Sequence, residues 1–267
     1  MDMHPTDPIG FFDSGLGGIS VLRQTRKLLP GEDYLYFGDS LHAPYGVRPL
    51  EEVQQLCLQA ADHLMKKGIK ALVLACNTAT SAAVPLLRQR YPELPIIGTE
   101  PALKPAVERY PGGRILVLAT AMTLKEQKFL DLWQTYDEQA QIVPVPCSGL
   151  MEFVERGELE GEAVTAYLLE KLEPFSKVPV DAVVLGCTHY PFLLPVIRKI
   201  LGRSPEIMDG AGGVARQLKR LLEQRNLCNP RSDGGHVIFE NSLNDKDILQ
   251  RCEMLLRWPG PAEEISG

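Results

Sequence analysis

Cys76 and Cys187 each close a short apolar run, and the two runs read as one motif written twice. Ala71-Leu72-Val73-Leu74-Ala75-Cys76-Asn77-Thr78 recurs as Ala182-Val183-Val184-Leu185-Gly186-Cys187-Thr188-His189, 111 residues later. A thiol with a depressed pKa tolerates both protonation states near neutral pH, so it can take a proton as a base or give one as an acid. Two equivalent thiols, one from each half of a duplicated chain, suit a two-base proton transfer. One thiolate removes a proton from a carbon, the opposite thiol delivers one to the other face, and the configuration inverts; in reverse the roles exchange. Asp13, at a neighbouring strand end, is the candidate helper for Cys76, and His189 is the candidate for Cys187. In isolation His189 reads rather as a helix cap or a buried hydrogen-bonded side chain. Its place two residues beyond Cys187 favours the catalytic role.

The elements that must position these thiols are written in the same stretches. A continuous apolar run with β-branched content, bounded by polar residues, reads as a strand buried on both faces. Asn77-Thr78 and Thr188-His189 are cap-type residues that open a helix, with Pro85-Leu86-Leu87-Arg88 and Pro195-Val196-Ile197-Arg198 downstream in the two copies. Each cysteine is thus expected where a buried strand meets a helix N-terminus, the carboxyl-end crevice in which open α/β sheets bind ligands. Unpaired N–H groups and the helix dipole there favour anions, a thiolate included. The duplication predicts an α/β fold of two pseudo-symmetric domains, each a mainly parallel sheet flanked by helices, with the active site in the interdomain cleft. The first domain is expected to comprise 1–98 plus 209–267 and the second 99–208, because the cysteine repeat leaves the last segments without a counterpart.

In chain order, Pro8 to Phe12 delivers Asp13-Ser14-Gly15-Leu16-Gly17-Gly18, followed by an amphipathic helix from Ile19 to about Leu29. The glycine spacing fits neither the dinucleotide fingerprint nor the Walker pattern, so Asp13 and Ser14 read as site residues rather than as part of a phosphate loop. Tyr34 to Gly38 is a second strand. The loop after it, Asp39 to Arg48, contains Pro44-Tyr45-Gly46 and reads either as a plain turn or as a substrate-facing wall. Leu50 to Lys67 is a helix with Cys57 on its apolar face, and Leu94 to Gly98 a further strand. Glu100 reads evenly as part of the crevice or as a helix-start carboxylate.

Arg114 to Leu118 ends in Ala119-Thr120-Ala121-Met122-Thr123 and repeats the first unit, with Thr120 as the counterpart of Ser14. Ile142 to Val145 leads to Cys147, read as structural, and to a helix-like stretch from Met151 to Gly157 whose Glu152 and Glu155 suit a solvated face. After the second cysteine come a proline-started helix, Pro191 to Leu201, a short strand, Glu206 to Met208, and a helix, Val214 to Arg225. An edge strand, Val237 to Phe239, a closing helix, Asp245 to Leu256, and a loose tail, Trp258 to Gly267, complete the chain.

Bulk properties narrow the class. With 28 basic and 34 acidic residues the 267-residue chain carries a net charge of −6, so the basic footprint of a nucleic-acid binder is absent. The N-terminal Met1-Asp2-Met3-His4-Pro5 lacks the character of a secretory signal, and no apolar run approaches membrane-spanning length. A cytoplasmic protein with no membrane partner is expected, its six cysteines reduced. No Cys-X-X-Cys or His-Glu-X-X-His spacing occurs, so no metal site is expected.

Six separated motifs then carry a resemblance. Phe12 to Gly18, Pro44-Tyr45-Gly46, Ala75-Cys76-Asn77-Thr78-Ala79, Gly98-Thr99-Glu100-Pro101, Ala119 to Thr123 and Gly186-Cys187-Thr188-His189-Tyr190-Pro191 closely resemble the glutamate racemases of the cofactor-independent aspartate/glutamate racemase superfamily, in the right order across roughly residues 8 to 213. The resemblance implies interconversion of L- and D-glutamate with no cofactor, supplying D-glutamate for peptidoglycan. It implies that Cys76 deprotonates the D-isomer and Cys187 the L-isomer, with Asp13 and His189 assisting. Asp13, Ser14, Tyr45, Gly46, Asn77, Thr78, Thr120, Thr188 and His189 would bind substrate. The family's acidic helper falls on Glu152 or Glu155, and because members are often dimers a homodimer is the protein partner it allows. An aspartate or hydantoin racemase, a hydrolase with one nucleophilic cysteine, and a binding protein that kept the site are the competing readings.

Overall fold

The computed structural model describes residues 3–125, 127–259 and 265–266. Its strands are β1 (Ile9–Asp13), β2 (Tyr34–Gly38), β3 (Ala71–Leu74), β4 (Ile96–Gly98), β5 (Arg114–Ala119), β6 (Gln141–Pro146), β7 (Ala182–Leu185), β8 (Glu206–Met208), β9 (Val237–Asn241) and β10 (Ile265–Ser266). The chain divides into two compact units, one of Met1–Thr99 with Ala211–Arg257, the other of Glu100–Gly210 with Trp258–Gly267.

The first unit holds a parallel sheet of order β4-β3-β1-β2-β9, and the second a parallel sheet of order β10-β8-β7-β5-β6. Taken strand by strand, β4-β3-β1-β2 and β8-β7-β5-β6 are the same arrangement, so the repeated motif occupies the same place, second from one side, in both copies. All four residues of β3 and of β7 are buried, as continuous apolar runs in parallel sheets should be. Pro144 and Pro146 sit in β6, an outer strand, where a missing N–H costs no ladder bond on the open side.

Helices cover the sheets. In the first unit the amphipathic helix Ile19–Leu28 packs against Ala211–Gln224, and Leu50–Lys66 packs against Asn77–Arg90. Cys57 is fully buried within this layer. At the amino end of the same sheet the buried Lys70 ammonium meets Glu32 at 2.5 Å. Glu32 also accepts the Asn229 N–H at 2.8 Å, and Lys70 donates to the Pro5 carbonyl. An ion pair this deep is tolerable only with such extra partners. It fastens the start of the chain and the segment leading to β9 onto one sheet.

Two expectations are corrected. The helix foreseen from Pro191 begins instead as a 3-10 turn, Tyr190–Leu193, and becomes α-helical only over Leu194–Leu201. Pro191 and Pro195 each lack an N–H, so neither can close a helical bond to a preceding carbonyl. The tail was expected to be loose and to belong with the first domain. Ile265–Ser266 instead pairs with Ile207–Met208 in the second sheet, and the Trp258 ring contacts Phe192 of that unit at 5.6 Å. Residues 260–264 and 267 of the tail, and Met1 and Asp2, lie outside the described residues. The loop after β2, read from the sequence as a turn or a wall, contains two short 3-10 turns, Ser40–His42 and Tyr45–Val47.

Gly18 shows how tightly the first turn is built. A Cβ there would lie 2.7 Å from the Ala75 Cβ and 2.8 Å from the Asp13 Cβ, closer than carbon atoms approach, and both neighbours lie against the carboxyl ends of β1 and β3. Gly18→Ala should therefore destabilise the protein by about 1–3 kcal/mol, read as a lowered denaturation midpoint. Gly213→Ala, whose added methyl meets nothing within 4 Å, should leave the midpoint unchanged or raised.

Candidate active site

The first thiol is placed by strand register. β1 and β3 pair in parallel with Phe12 opposite Leu74, so continuing the register sets Ser14 beside Cys76. The Ser14 hydroxyl donates to Cys76 Sγ at 3.3 Å. Cys76 has extended backbone and is itself the N-cap of the helix Asn77–Arg90, its sulfur accepting the Ala79 N–H at 3.5 Å. Expectation gave the capping role to Asn77 and Thr78. The sulfur takes it because Cys76 is the last residue before helical geometry begins, the position from which a side-chain acceptor reaches the first free N–H groups.

Asp13 is fully buried and accepts the Gly15 N–H at 2.9 Å. The turn it braces is pinned from beneath by Tyr36, whose hydroxyl donates to Gly15 O at 2.8 Å. Tyr45 is buried against Phe12, the ring centres 6.2 Å apart, and its hydroxyl donates to Asp39 at 2.7 Å. Burial, then the hydrogen bond to Asp39, hold this phenol far above its ordinary pKa. Thr78 is buried, while Gly46 and Asn77 are partly so.

The second thiol has a different environment. β5 and β7 pair with Leu118 opposite Leu185, which by the same continuation sets Thr120 beside Cys187. Thr120, however, caps the following turn: its Oγ1 accepts the Thr123 N–H at 3.1 Å and lies 2.9 Å from the Thr123 hydroxyl. Cys187 is partly exposed, and its sulfur lies 3.6 Å from His189 Nδ1. The other ring nitrogen, Nε2, meets Glu155 Oε1 at 2.7 Å. Burial alone pushes the His189 pKa down, but the hydrogen bonds to Cys187 and Glu155, with their charges, outweigh it and raise it well above 6.5. The arrangement is a thiol, an imidazole and a carboxylate in line, the carboxylate fixing the ring and favouring its charged form. Thr188 is buried here too.

Of the two acids left open by the sequence, Glu155 is the one that reaches His189; Glu152, one turn earlier, places an oxygen among buried groups with no hydrogen-bond partner. Glu100 is exposed. Two other buried thiols are shifted: burial raises Cys147 to about 12, and burial, with Cys76 and Asp39 adding, raises Cys57 as well. Asp39 and its neighbour His42 were not singled out from the sequence, although Asp39 directly follows a strand, the same signal that singled out Asp13. Among the described residues no group of three or more His, Cys, Asp or Glu side chains is placed to hold a metal ion, and no helix is long and apolar enough to cross a membrane.

A duplicated parallel α/β chain that presents one thiol at the carboxyl end of the equivalent strand in each unit defines a class, and comparison with known proteins names it. Residues 19–218 match the Asp/Glu/Hydantoin racemase family, and the chain belongs to that family. It is 49% identical over 249 residues to the glutamate racemase of Clostridium perfringens, covering 93% of this chain and 96% of that one. Among solved structures it is similar to glutamate racemase from Francisella tularensis in complex with D-glutamate, with a TM-score of 0.79, 27% identity and 94% of each chain covered. It is likewise similar to Escherichia coli glutamate racemase in complex with L-glutamate and the activator UDP-MurNAc-Ala, with a TM-score of 0.81, 28% identity, and 92% of this chain and 95% of that chain covered.

The His189–Glu155 pair has a pH signature. A group whose pKa is raised by folding stabilises the fold fully below its unfolded value and loses that contribution as the pH rises through the folded one. With His189 raised well above 6.5, the melting-temperature advantage of the wild type over Glu155→Gln should be greatest near about pH 6. It should shrink steadily as the buffer is made more alkaline. An advantage that grows with pH would mean that the imidazole is neutral in the native state.

Proposed function

We infer that this chain is a cofactor-independent amino-acid racemase that interconverts L-glutamate and D-glutamate by proton transfer at the α-carbon. The observation that carries the reading is the repeat of one strand order, β4-β3-β1-β2 and β8-β7-β5-β6, with Cys76 and Cys187 at the same point of each. Inversion at a carbon needs a base on one face and an acid on the other, and a duplicated fold is a direct way to provide the same group twice. The 49% identity to a glutamate racemase over nearly the whole chain supports glutamate as the substrate, as do relatives bound to each enantiomer.

In the proposed mechanism Cys76 takes the α-proton of D-glutamate while Cys187 protonates the opposite face, and the L-isomer reacts with the roles exchanged. Ser14 and the Ala79 N–H hold the Cys76 sulfur in place, and His189, itself held by Glu155, lies against the sulfur of Cys187. Asp13 assists on the Cys76 side. Tyr45, Gly46, Asn77, Thr78, Thr120 and Thr188 contribute to substrate binding. Helix-start N–H groups and hydroxyls can hold carboxylates without an arginine clamp, which reconciles an acidic chain with an acidic substrate. D-Glutamate so formed would supply peptidoglycan synthesis, and with it cell-wall biogenesis and shape, in the cytoplasm. A homodimer is the proposed assembly.

Proton exchange in heavy water tests the reading. The wild type should racemise both enantiomers and place solvent deuterium at the α-carbon, whereas Cys76→Ala and Cys187→Ala should each lose interconversion by at least about a thousandfold. Racemisation that survives either substitution would remove that thiol from its role.

A further inference from the structure

Asp39 follows β2 directly, and its N–H donates to the Asp13 carbonyl at 2.9 Å, so its backbone is set by the sheet rather than by the loop it begins. Its side chain is buried, 6% exposed, and gathers donors from that loop. The Tyr45 hydroxyl reaches it at 2.7 Å, and His42 Nδ1 lies 2.9 and 3.0 Å from its two oxygens. A carboxylate at this depth needs such partners, and the loop needs the carboxylate. The start of the loop is also tied by the Leu41 N–H to Ser242 Oγ at 3.0 Å and by Asn241 Nδ2 to Ser40 Oγ at 2.9 Å, but around Tyr45 the remaining bonds are local, Arg48 N–H to Tyr45 O at 3.1 Å and the Arg48 guanidinium to the His42 carbonyl. Its outer side chains Leu41 and Val47 are 55% and 80% exposed and contribute little packing. Tyr45 and Cys57, which both feel the charge of Asp39, also both feel that of Cys76, so the anchor and the first thiol share one neighbourhood.

We propose that Asp39 is a positioning residue for substrate binding: it fixes the loop 39–48 through the Tyr45 hydroxyl and His42, and so holds Tyr45 and Gly46 where they meet glutamate. This rests on the functional reading above, in which those two residues bind substrate. Asp39 takes and gives no proton in the reaction. Its hydrogen bond with Tyr45 consumes the phenol as a donor, so the loop grips through its shape, and that shape is lost when the acceptor is removed.

Steady-state racemisation of glutamate by the full chain tests this. Asp39→Ala should raise KM about tenfold, the equivalent of one charge-assisted hydrogen bond, with kcat within about threefold of wild type. Asp39→Asn, whose amide oxygen still accepts from Tyr45, should keep KM within about threefold of wild type. Tyr45→Phe, which leaves His42 on Asp39, should raise KM by up to the Asp39→Ala factor, and the double variant should add nothing to Asp39→Ala. An unchanged KM in Asp39→Ala, a loss confined to kcat, equal damage from Asn and Ala, or additive effects in the double variant would each overturn the proposal. Should Asp39→Ala not fold, the contrast of Tyr45→Phe with Asp39→Asn decides instead: a raised KM in the first alone supports the anchor, and equal values refute it. Wild-type activity on glutamate separates the two levels. An inactive wild type sinks the functional reading and this proposal with it, while an active one with an indifferent Asp39 sinks this proposal alone.

Discussion

Parallel strand register governs the chemistry available to this protein. Because Phe12 faces Leu74 and Leu118 faces Leu185, the first residues beyond each strand are forced side by side at one edge of the sheet. Ser14 arrives at Cys76 for that reason, and the equivalent steps bring Thr120 to the level of Cys187. A slip of one residue would turn every side chain of a strand to the other face, and burial commits the central strands of both sheets against such a slip. The thiols thus inherit their positions from the hydrogen-bond ladders of strands that also build the core.

Identical placement does not make the thiols chemically identical. Cys76 is served by a hydroxyl and a helix N–H, both neutral donors. Cys187 faces an imidazole whose far side is held by a carboxylate. The difference traces to the residues just beyond each strand. After Cys76 an α-helix begins at once, so the free N–H groups point back at the sulfur. After Cys187 the prolines at 191 and 195 delay the helix and leave a 3-10 turn, and His189 occupies the space where a helix N-terminus would have pointed. The duplicated frame is filled on one side by backbone dipoles and on the other by a titratable pair.

Much of this was legible in the sequence, for identifiable reasons. Ala71–Leu74 and Ala182–Leu185 are buried on both faces, and such strands announce themselves as unbroken apolar runs. The cysteines that end them were found by the repeat alone. What escaped was whatever depends on two distant segments meeting. Glu152 and Glu155 have equal claims as residues on a short acidic stretch, and only contact with His189, 34 positions away, separates them. The pairing of Ile265 and Ser266 with β8 cannot be read from two residues without a strand's length of pattern. Asp39 was passed over because Pro44-Tyr45-Gly46 marks the loop's middle, while the loop's geometry is decided at its root.

The first unit is assembled from both ends of the chain. Its four strands from β1 to β4 are complete by Gly98, but Ala211–Gln224, which covers the apolar face of Ile19–Leu28, and β9 are made more than a hundred residues later. The second unit has β5 to β8 in one uninterrupted stretch, 114–208. On the ribosome neither unit is complete until the chain is nearly whole, because the first waits for β9 and the helix after it and the second for β10, so the usual completion of an N-terminal unit before the next begins does not apply. The early half must wait, with an oily helix flank uncovered, until the later half has emerged and the chain has come home.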